Sequence, residues 1–381
     1  MLTRETLTSL QQSLEKRHVL SVYIDGRAPD PAGRRGWRAA LSKSLTALRH
    51  TLADRNAAES AEFDQCESRL RTLVDPIEGA LRAPGWVAFV TSDRVALAED
   101  LPVAMPNVTR WTVGPWVSPY MRAQKELRAV ILAVVDARSA RLFRYAEGAL
   151  TPLNRLHAHA RIDEPSHMGA APRPSFHTGT RGATATEGVE RSRQEGTHQM
   201  LRELVDHLVR LAGTDGWILI GGMPNTAELA IAMLPQHLQA RTGRVARLNQ
   251  LTSSAELRRV TSAGARKLRR ALDEQIVDTV ISQASGHGRG AIGEAATRRA
   301  LASDAVHILL LTTRFLAERP DVTEEMTRRA LASAASVEIV AGEAGDRLDE
   351  VGGIGGALRF HAAAQSSEAT SSPASDHAPL R

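Results

Sequence analysis

The segment from Gly179 to Met200, GTRGATATEGVERSRQEGTHQM, carries the residue types best suited to binding chemistry. Its first part contains no apolar residue larger than alanine, and we predict a loop there, followed by a helix that begins near Glu187. On that helix Arg191, Glu195 and His198 stand four and three residues apart and share one face. A loop of small residues that leads into a helix with basic side chains favours a phosphate-rich partner.

The stretch before this helix, residues 163–186, is dense in Pro, Gly, Ser, Thr and His. It is longer than most loops inside compact domains, and such loops are functional or disordered. Arg173, His177 and Arg181 are its candidate contacts to RNA, and an ordinary surface loop is the alternative. On the helix, Arg191 can form an ion pair with Glu195, and this does not exclude RNA binding, because Arg193 points away from that face.

The same segment resembles the middle domain of the class-I release factors of archaea and eukaryotes and of their relative Pelota. In the release factors a Gly-Gly-Gln loop precedes a helix with the pattern Arg-Phe-x-Arg-x-Arg-x-Glu-x-x-His. The last four polar positions of that pattern correspond here to Arg191, Arg193, Glu195 and His198. The positions of Gly-Gly-Gln correspond to Gly182, Ala183 and Thr184. The glutamine that places the hydrolytic water in that family is therefore a threonine in this chain.

A second motif, GGIGGALRF at residues 352–360, looks like the glycine-rich ending of the third domain of the same superfamily. The resemblance then covers roughly residues 120 to 362, and it is closest to the bacterial homologues typified by the Balon ribosome hibernation factors. It implies a factor that occupies a tRNA-like site near the peptidyl-transferase region of the ribosomal RNA. It also implies elongation factor Tu or another translation GTPase as a partner, and a role in hibernation or rescue without hydrolysis.

Two other classes of function remain open. One is a peptidyl-tRNA hydrolase that uses another loop residue, such as His177, as its base. A threonine hydroxyl at position 184 is shorter than an amide and lacks its second N–H, so it does not reproduce the placement of water by glutamine. The other is a scaffold that makes protein contacts only. Binding to 70S ribosomes distinguishes these classes.

The composition narrows the class of protein further. The net charge is +5, and all but four of the 48 basic residues are arginines, which either codon usage or RNA contact can explain. There is no apolar run of the length that a membrane span needs, and we expect a cytoplasmic protein. The single cysteine, Cys66, excludes an internal disulfide and a cysteine-based zinc site. We predict no metal and no cofactor.

The alternation of helix and strand patterns predicts three α/β domains in tandem, at residues 1–122, 123–250 and 251–364, with a disordered tail at 365–381. We predict a mainly parallel core for the middle domain. Predicted helices include residues 58–81, 226–238 and 254–284. The glycine-rich stretch GHGRGAIG, residues 286–293, lacks the ending of a nucleotide-binding loop, and we interpret it as a helix-to-helix turn. In GGIGGALRF we expect Leu358 and Phe360 to pack inward.

Overall fold

The computed structural model describes residues 4–27, 36–53, 56–77, 79–158, 181–213, 215–286 and 288–360. Within them the chain forms three separate β-sheets, each covered by helices. This is the mixed α/β class that the sequence predicts. The predicted tail, residues 365–381, lies outside the described residues.

The first sheet is antiparallel throughout, with the strand order β3-β2-β1-β4. Its strands pack against two long helices through apolar residues spaced three and four apart, including Trp37, Leu41 and Leu45. The elements of this domain are α1 (Arg4–Leu14), β1 (His18–Asp25), α2 (Gly36–Ala53), α3 (Ala57–Val74), β2 (Gly85–Val90), β3 (Val95–Leu101) and β4 (Val108–Val113). A linker helix, α4 (Ser118–Glu126), follows.

The second sheet has the order β7-β6-β5-β8-β9. It is mixed and not mainly parallel. β5 pairs in parallel with β8, and β8 with β9, whereas the pairs β5–β6 and β6–β7 are antiparallel because a tight turn joins the two strands of each pair. Its elements are β5 (Val130–Val135), β6 (Ser139–Ala146), β7 (Ala149–His157), α5 (Arg181–Ala212), β8 (Trp217–Gly222), α6 (Pro224–Met233), α7 (Gln236–Gln239) and β9 (Thr242–Val245). The helices α5 and α6 cover one face of this sheet.

A single long helix, α8 (Ser254–Ser285), covers the other face and continues into the third domain. Leu257 and Leu268, in its first half, pack on the middle sheet. Val277 and Val280, in its second half, pack on the third sheet. The boundary predicted at residue 250 precedes this helix, whereas the first half of the helix belongs to the core of the middle domain.

The third sheet has the order β10-β13-β11-β12, with one parallel pair, β11 and β12. Its elements are β10 (Gly290–Ile292), α9 (Glu294–Ala302), β11 (Val306–Thr312), α10 (Thr313–Glu318), α11 (Pro320–Ala332), β12 (Ser336–Val340), α12 (Glu343–Glu350) and β13 (Ile354–Leu358). The GGIGGALRF motif contains the whole of β13 and the two glycines that precede it. Gly352 and Gly353 adopt positive φ angles of 109° and 71°, which a residue with a side chain rarely adopts.

The first and third domains share one hydrophobic core, although they are far apart in sequence. Tyr23 and Phe89 of the first sheet belong to the same buried cluster as Phe315 and Met326 of the third domain. The linker helix α4 is held there by Glu324 on α11, whose carboxylate accepts hydrogen bonds from the backbone N–H of Val117 and Ser118 and from the Ser118 hydroxyl. The first domain is therefore fixed to the third.

A second contact joins the linker to the third domain. The ammonium group of Lys125 is buried and donates to Asp273 on α8 at 2.6 Å and to the carbonyl of Ile339 on β12 at 2.8 Å. Its nitrogen also lies 3.4 Å from Glu338. These contacts satisfy a charge that burial alone would make costly.

Several predicted boundaries are wrong. The helix predicted at 58–81 ends at Val74, and the helix predicted at 226–238 breaks at Leu234. In the second case Pro235 excludes the residue before it from helical geometry. Residues 290–292 form β10, so the glycine-rich stretch is a turn followed by a strand and not a direct turn between helices. Phe360 is 52% exposed, because it lies beyond the end of β13, while Leu358 is buried as predicted.

Candidate functional site

The helix α5 is much longer than the sheet that it covers. It has 32 residues and so a length of roughly 48 Å at 1.5 Å per residue. Among its described side chains, those of residues 190–212, the first that belongs to the hydrophobic core is Met200, and Leu204, Leu208 and Ala212 follow. The helix therefore continues before Met200 past the described part of this core, and we call residues 181–199 the α5 extension.

The α5 extension carries Arg191, Arg193 and His198 as exposed side chains, as the sequence predicts. The predicted ion pair between Arg191 and Glu195 is not among the ion pairs of the described residues, and Glu195 is itself exposed. At 100° per residue, Arg193 lies on the side of the helix that continues toward Met200 and the sheet, and Arg191 lies on the outer side. Cations thus point to both sides of the extension.

Of the other predicted RNA contacts, two lie outside the described residues and four are described in their backbone alone. Arg173 and His177 lie outside the described residues. Gly182, Ala183 and Thr184 lie in α5 and not in the predicted loop, because the helix begins at Arg181 and not near Glu187. Their side chains, like that of Arg181, are not described. The helical start is consistent with local propensity, since alanines flank Thr184, no proline intervenes, and a glycine inside a helix costs only about 1 kcal/mol.

Hydrogen bonds tie three loops together at the end of the middle sheet beneath the α5 extension. The Thr197 hydroxyl on α5 donates to the carbonyl of Ala137, in the β5–β6 turn, at 2.7 Å. The backbone N–H of Met223 donates to the carbonyl of Val135 at 2.8 Å. The side-chain amide of Gln250 donates to the carbonyls of Val134 and Ser139, at 3.0 and 3.1 Å. This end is where the parallel strands β5, β8 and β9 terminate, the usual side for binding in such sheets.

Exposed side chains at this sheet end were missed by the sequence prediction. Arg138, in the β5–β6 turn, is exposed. Met223 is 52% exposed, and Leu251 is 93% exposed at the tip of a turn that Asn249 and Thr252 close by mutual hydrogen bonds. The available signal was an apolar residue directly after a strand, at Met223, and an arginine or a leucine within a turn, at Arg138 and Leu251. The strand order that brings these turns together is not readable from the sequence.

The described residues at this sheet end offer groups that can bind a partner. The extension and the β5–β6 turn carry exposed cations, and the turns at the same sheet end carry exposed apolar side chains, a combination that suits phosphates together with unstacked bases or a protein surface. Within the described residues no group of three or more His, Cys, Asp and Glu side chains is placed to hold a metal ion. None of the described helices has the length and apolar character to cross a membrane.

Comparison with known proteins gives one match to a family. Residues 115–266 match the model of bacterial archaeo-eukaryotic release factor family 10. This range covers less than half of the chain, and it coincides with the linker helix, the middle sheet and the first half of α8. No curated protein matches the chain.

Several solved structures resemble the chain. An archaeal translation termination factor, aRF1, is 17% identical over 94% of this chain and 99% of its own, with a TM-score of 0.26. Pelota of Archaeoglobus fulgidus is 14% identical over 94% and 92%, with a TM-score of 0.33. Dom34 of S. cerevisiae, a translation termination-like factor, is 10% identical over 73% and 82%, with a TM-score of 0.44. These similarities concern the fold alone. The middle of this chain is thus similar to the bacterial homologues of archaeo-eukaryotic release factors.

Proposed function

We propose that this protein binds the ribosome as a release-factor-like translation factor, with the α5 extension directed toward ribosomal RNA. The observation that carries the proposal is the coincidence of the family match with the domain that bears the extension. Arg191 and Arg193 are exposed there, with no acid from the described residues paired to either. Guanidinium groups placed beyond a rigid core can reach phosphates without rearranging that core.

We further propose that binding serves hibernation or rescue, as in the Balon factors, and does not lead to peptide release. The reason is chemical: Thr184 stands where the release factors have the glutamine that places water. The partners under this proposal are rRNA of the peptidyl-transferase region and a translation GTPase such as elongation factor Tu, in the cytoplasm. Peptidyl-tRNA hydrolysis through another residue, such as His177, is the second candidate function.

Co-sedimentation with 70S ribosomes through a sucrose cushion tests the proposal. We expect the purified protein to pellet with ribosomes at low salt and to be lost as salt rises, because phosphate contacts release counterions. The double variant Arg191→Ala/Arg193→Ala should bind at least about tenfold more weakly. Arg202→Ala/Arg210→Ala is the matched control, because it removes the same charge from exposed positions on the sheet-covering half of the same helix.

The two variants separate the outcomes. Loss of binding in the first variant alone supports the α5 extension as the contact. Equal binding by both variants and the unchanged protein places the contact elsewhere on the chain. A failure of the unchanged protein to pellet at low salt refutes ribosome binding itself.

A further inference from the structure

Positively charged residues are concentrated on α8, outside the two motifs at residues 179–200 and 352–360. Residues 258–270 contain six basic residues and no acidic one: Arg258, Arg259, Arg266, Lys267, Arg269 and Arg270. The acids of this helix come before and after, at Glu256 and from Asp273 onward. Over the whole chain 48 basic residues face 43 acidic ones. A bias toward arginine codons alone would not separate the two signs along one helix.

The fold places this charge on one exposed face. Leu257, Thr261, Ala265 and Leu268 are buried against the middle sheet. At 100° per residue, Arg259, Arg266 and Arg270 lie within about 40° of one another on the opposite side, with Arg258 and Lys267 on its two flanks. All five of these side chains are exposed. We call this set the α8 basic face.

Local pairing uses only a small part of this charge. Arg259 makes a two-point contact with Glu256, at 2.6 and 2.8 Å, and Arg266 donates to the Ser262 hydroxyl at 2.7 Å. No ion pair from the described residues involves Arg258, Lys267 or Arg270. Most of the charge on the α8 basic face is therefore available to an external partner.

The dimensions of the face fit a nucleic-acid backbone. Arg258 and Arg270 are separated by twelve residues, or about 18 Å along the helix. One strand of a duplex presents a phosphate roughly every 3.4 Å of its axis, so a face of this length can follow several consecutive phosphates. The small side chains of Ser262 and Ala263 lie between the cations, so a backbone can approach the helix closely there.

The face also starts at the candidate site. The helix begins three residues after the exposed Leu251, at the sheet end where the α5 extension projects. It then runs along the middle sheet toward Gly243, whose backbone lies near Leu268. The two basic surfaces therefore lie toward the same end of the middle sheet, on helices that cover its opposite faces.

We propose that the α8 basic face is a second RNA-binding surface, which holds the phosphate backbone of double-helical RNA while the α5 extension contacts a different RNA segment. This inference rests on the proposed function, because a ribosome supplies such helices. Phosphate contacts of this kind position a protein and carry no sequence information, so the face should bind RNA helices of any sequence.

The test compares two triple variants that remove the same charge. Arg266→Ala/Lys267→Ala/Arg270→Ala changes the α8 basic face, and Lys43→Ala/Arg94→Ala/Arg299→Ala changes exposed positions on the other two domains. Each is measured against 70S ribosomes by pelleting and against a synthetic RNA hairpin duplex by fluorescence anisotropy, from 50 to 200 mM salt. In the α8 variant we expect the slope of log affinity against log salt to fall by about 2 to 3, and affinity for the hairpin to drop roughly tenfold or more.

The two probes distinguish the inference from the proposed function. If the unchanged protein pellets with ribosomes and the two triple variants bind RNA equally well, the α8 basic face is not an RNA surface, whereas ribosome binding stands. A different outcome is that the unchanged protein binds the hairpin but does not pellet with ribosomes, and that hairpin binding is lost only in the α8 variant. The α8 basic face is then supported as an RNA surface, and the ribosome proposal is refuted. Melting temperatures of both variants close to that of the unchanged protein exclude misfolding as the cause.

Discussion

The contact that joins the first and third domains provides the sharpest test of the fold. Glu324 is 8% exposed, and its two carboxylate oxygens accept from the N–H of Val117 at 2.9 Å, the N–H of Ser118 at 3.1 Å and the Ser118 hydroxyl. The helix α4 has no side-chain cap from its own N-cap residue. Glu324 therefore replaces the missing cap from a position more than 200 residues away in sequence.

The change Glu324→Ala leaves these three donors without an acceptor in a buried place. Each unsatisfied buried donor costs about 1–3 kcal/mol, and the loss of a helix cap alone costs about 1 kcal/mol. Removal of a buried carboxylate also relieves its desolvation, which offsets part of the loss. We expect a net decrease of about 3 kcal/mol in the free energy of unfolding, or roughly 6–12 °C in melting temperature.

Urea unfolding followed by circular dichroism measures this change, with Glu325→Ala as the control. Glu325 is the next residue on α11 and carries the same charge. It forms an ion pair with Arg298 at 2.6 Å, in which each of the two side chains is about one-third exposed. Such a surface pair is worth at most about 1 kcal/mol. If the two variants unfold at the same urea concentration, Glu324 is not a cap between domains and the shared core needs another explanation.

Three further predictions follow from the charged groups and the altered motif. Burial raises the pKa of Glu324 above its ordinary 4.5, although the bonds from Ser118 and Val117 oppose this, so the carboxyl group holds its proton more tightly in the folded state than in the unfolded chain. The difference in unfolding free energy between the unchanged protein and Glu324→Ala should then decrease as pH rises from 4.5 through the raised folded pKa, and a difference that grows over that range would contradict this direction. Lys125→Met leaves the half-buried Asp273 without its ion-pair partner, while Glu338 keeps its ion pair with Arg128, and should lower the unfolding free energy by about 3 kcal/mol; a change below 1 kcal/mol in urea titration would show that Asp273 finds another partner. Purified protein should release no peptide from ribosome-bound peptidyl-tRNA above the buffer control, because position 184 is threonine, and release that disappears in His177→Ala would establish the hydrolase alternative.

The α8 basic face and the α5 extension show how tertiary structure changes the meaning of a local pattern. The sequence places arginines on both helices, but on a helix covered all round they would be inaccessible or paired. The sheet ends before the first half of α5, and it covers only the apolar side of α8. The exposure of these cations therefore depends on how far the middle sheet extends and on which side of each helix packs against it.

The sequence alone determined the elements whose signal is local. The pattern of apolar residues predicted the helix at 254–284, observed as α8, because a helix must bury one side in any fold. The threonine at position 184, where the release factors have glutamine, can likewise be read directly from the sequence, since it concerns the chemistry of one side chain.

Only the tertiary structure decided how these elements come together. Glu324 and Val117 meet across the chain because the first and third domains bury one common core, and no local pattern of either segment encodes the other. The short elements β9, β10 and α7 were missed because their few residues carry little propensity and form only against neighbours already in place. The pairing of distant segments depends on the total apolar surface that many residues bury together. The pattern within one helix or strand carries no information about which distant segment will cover it.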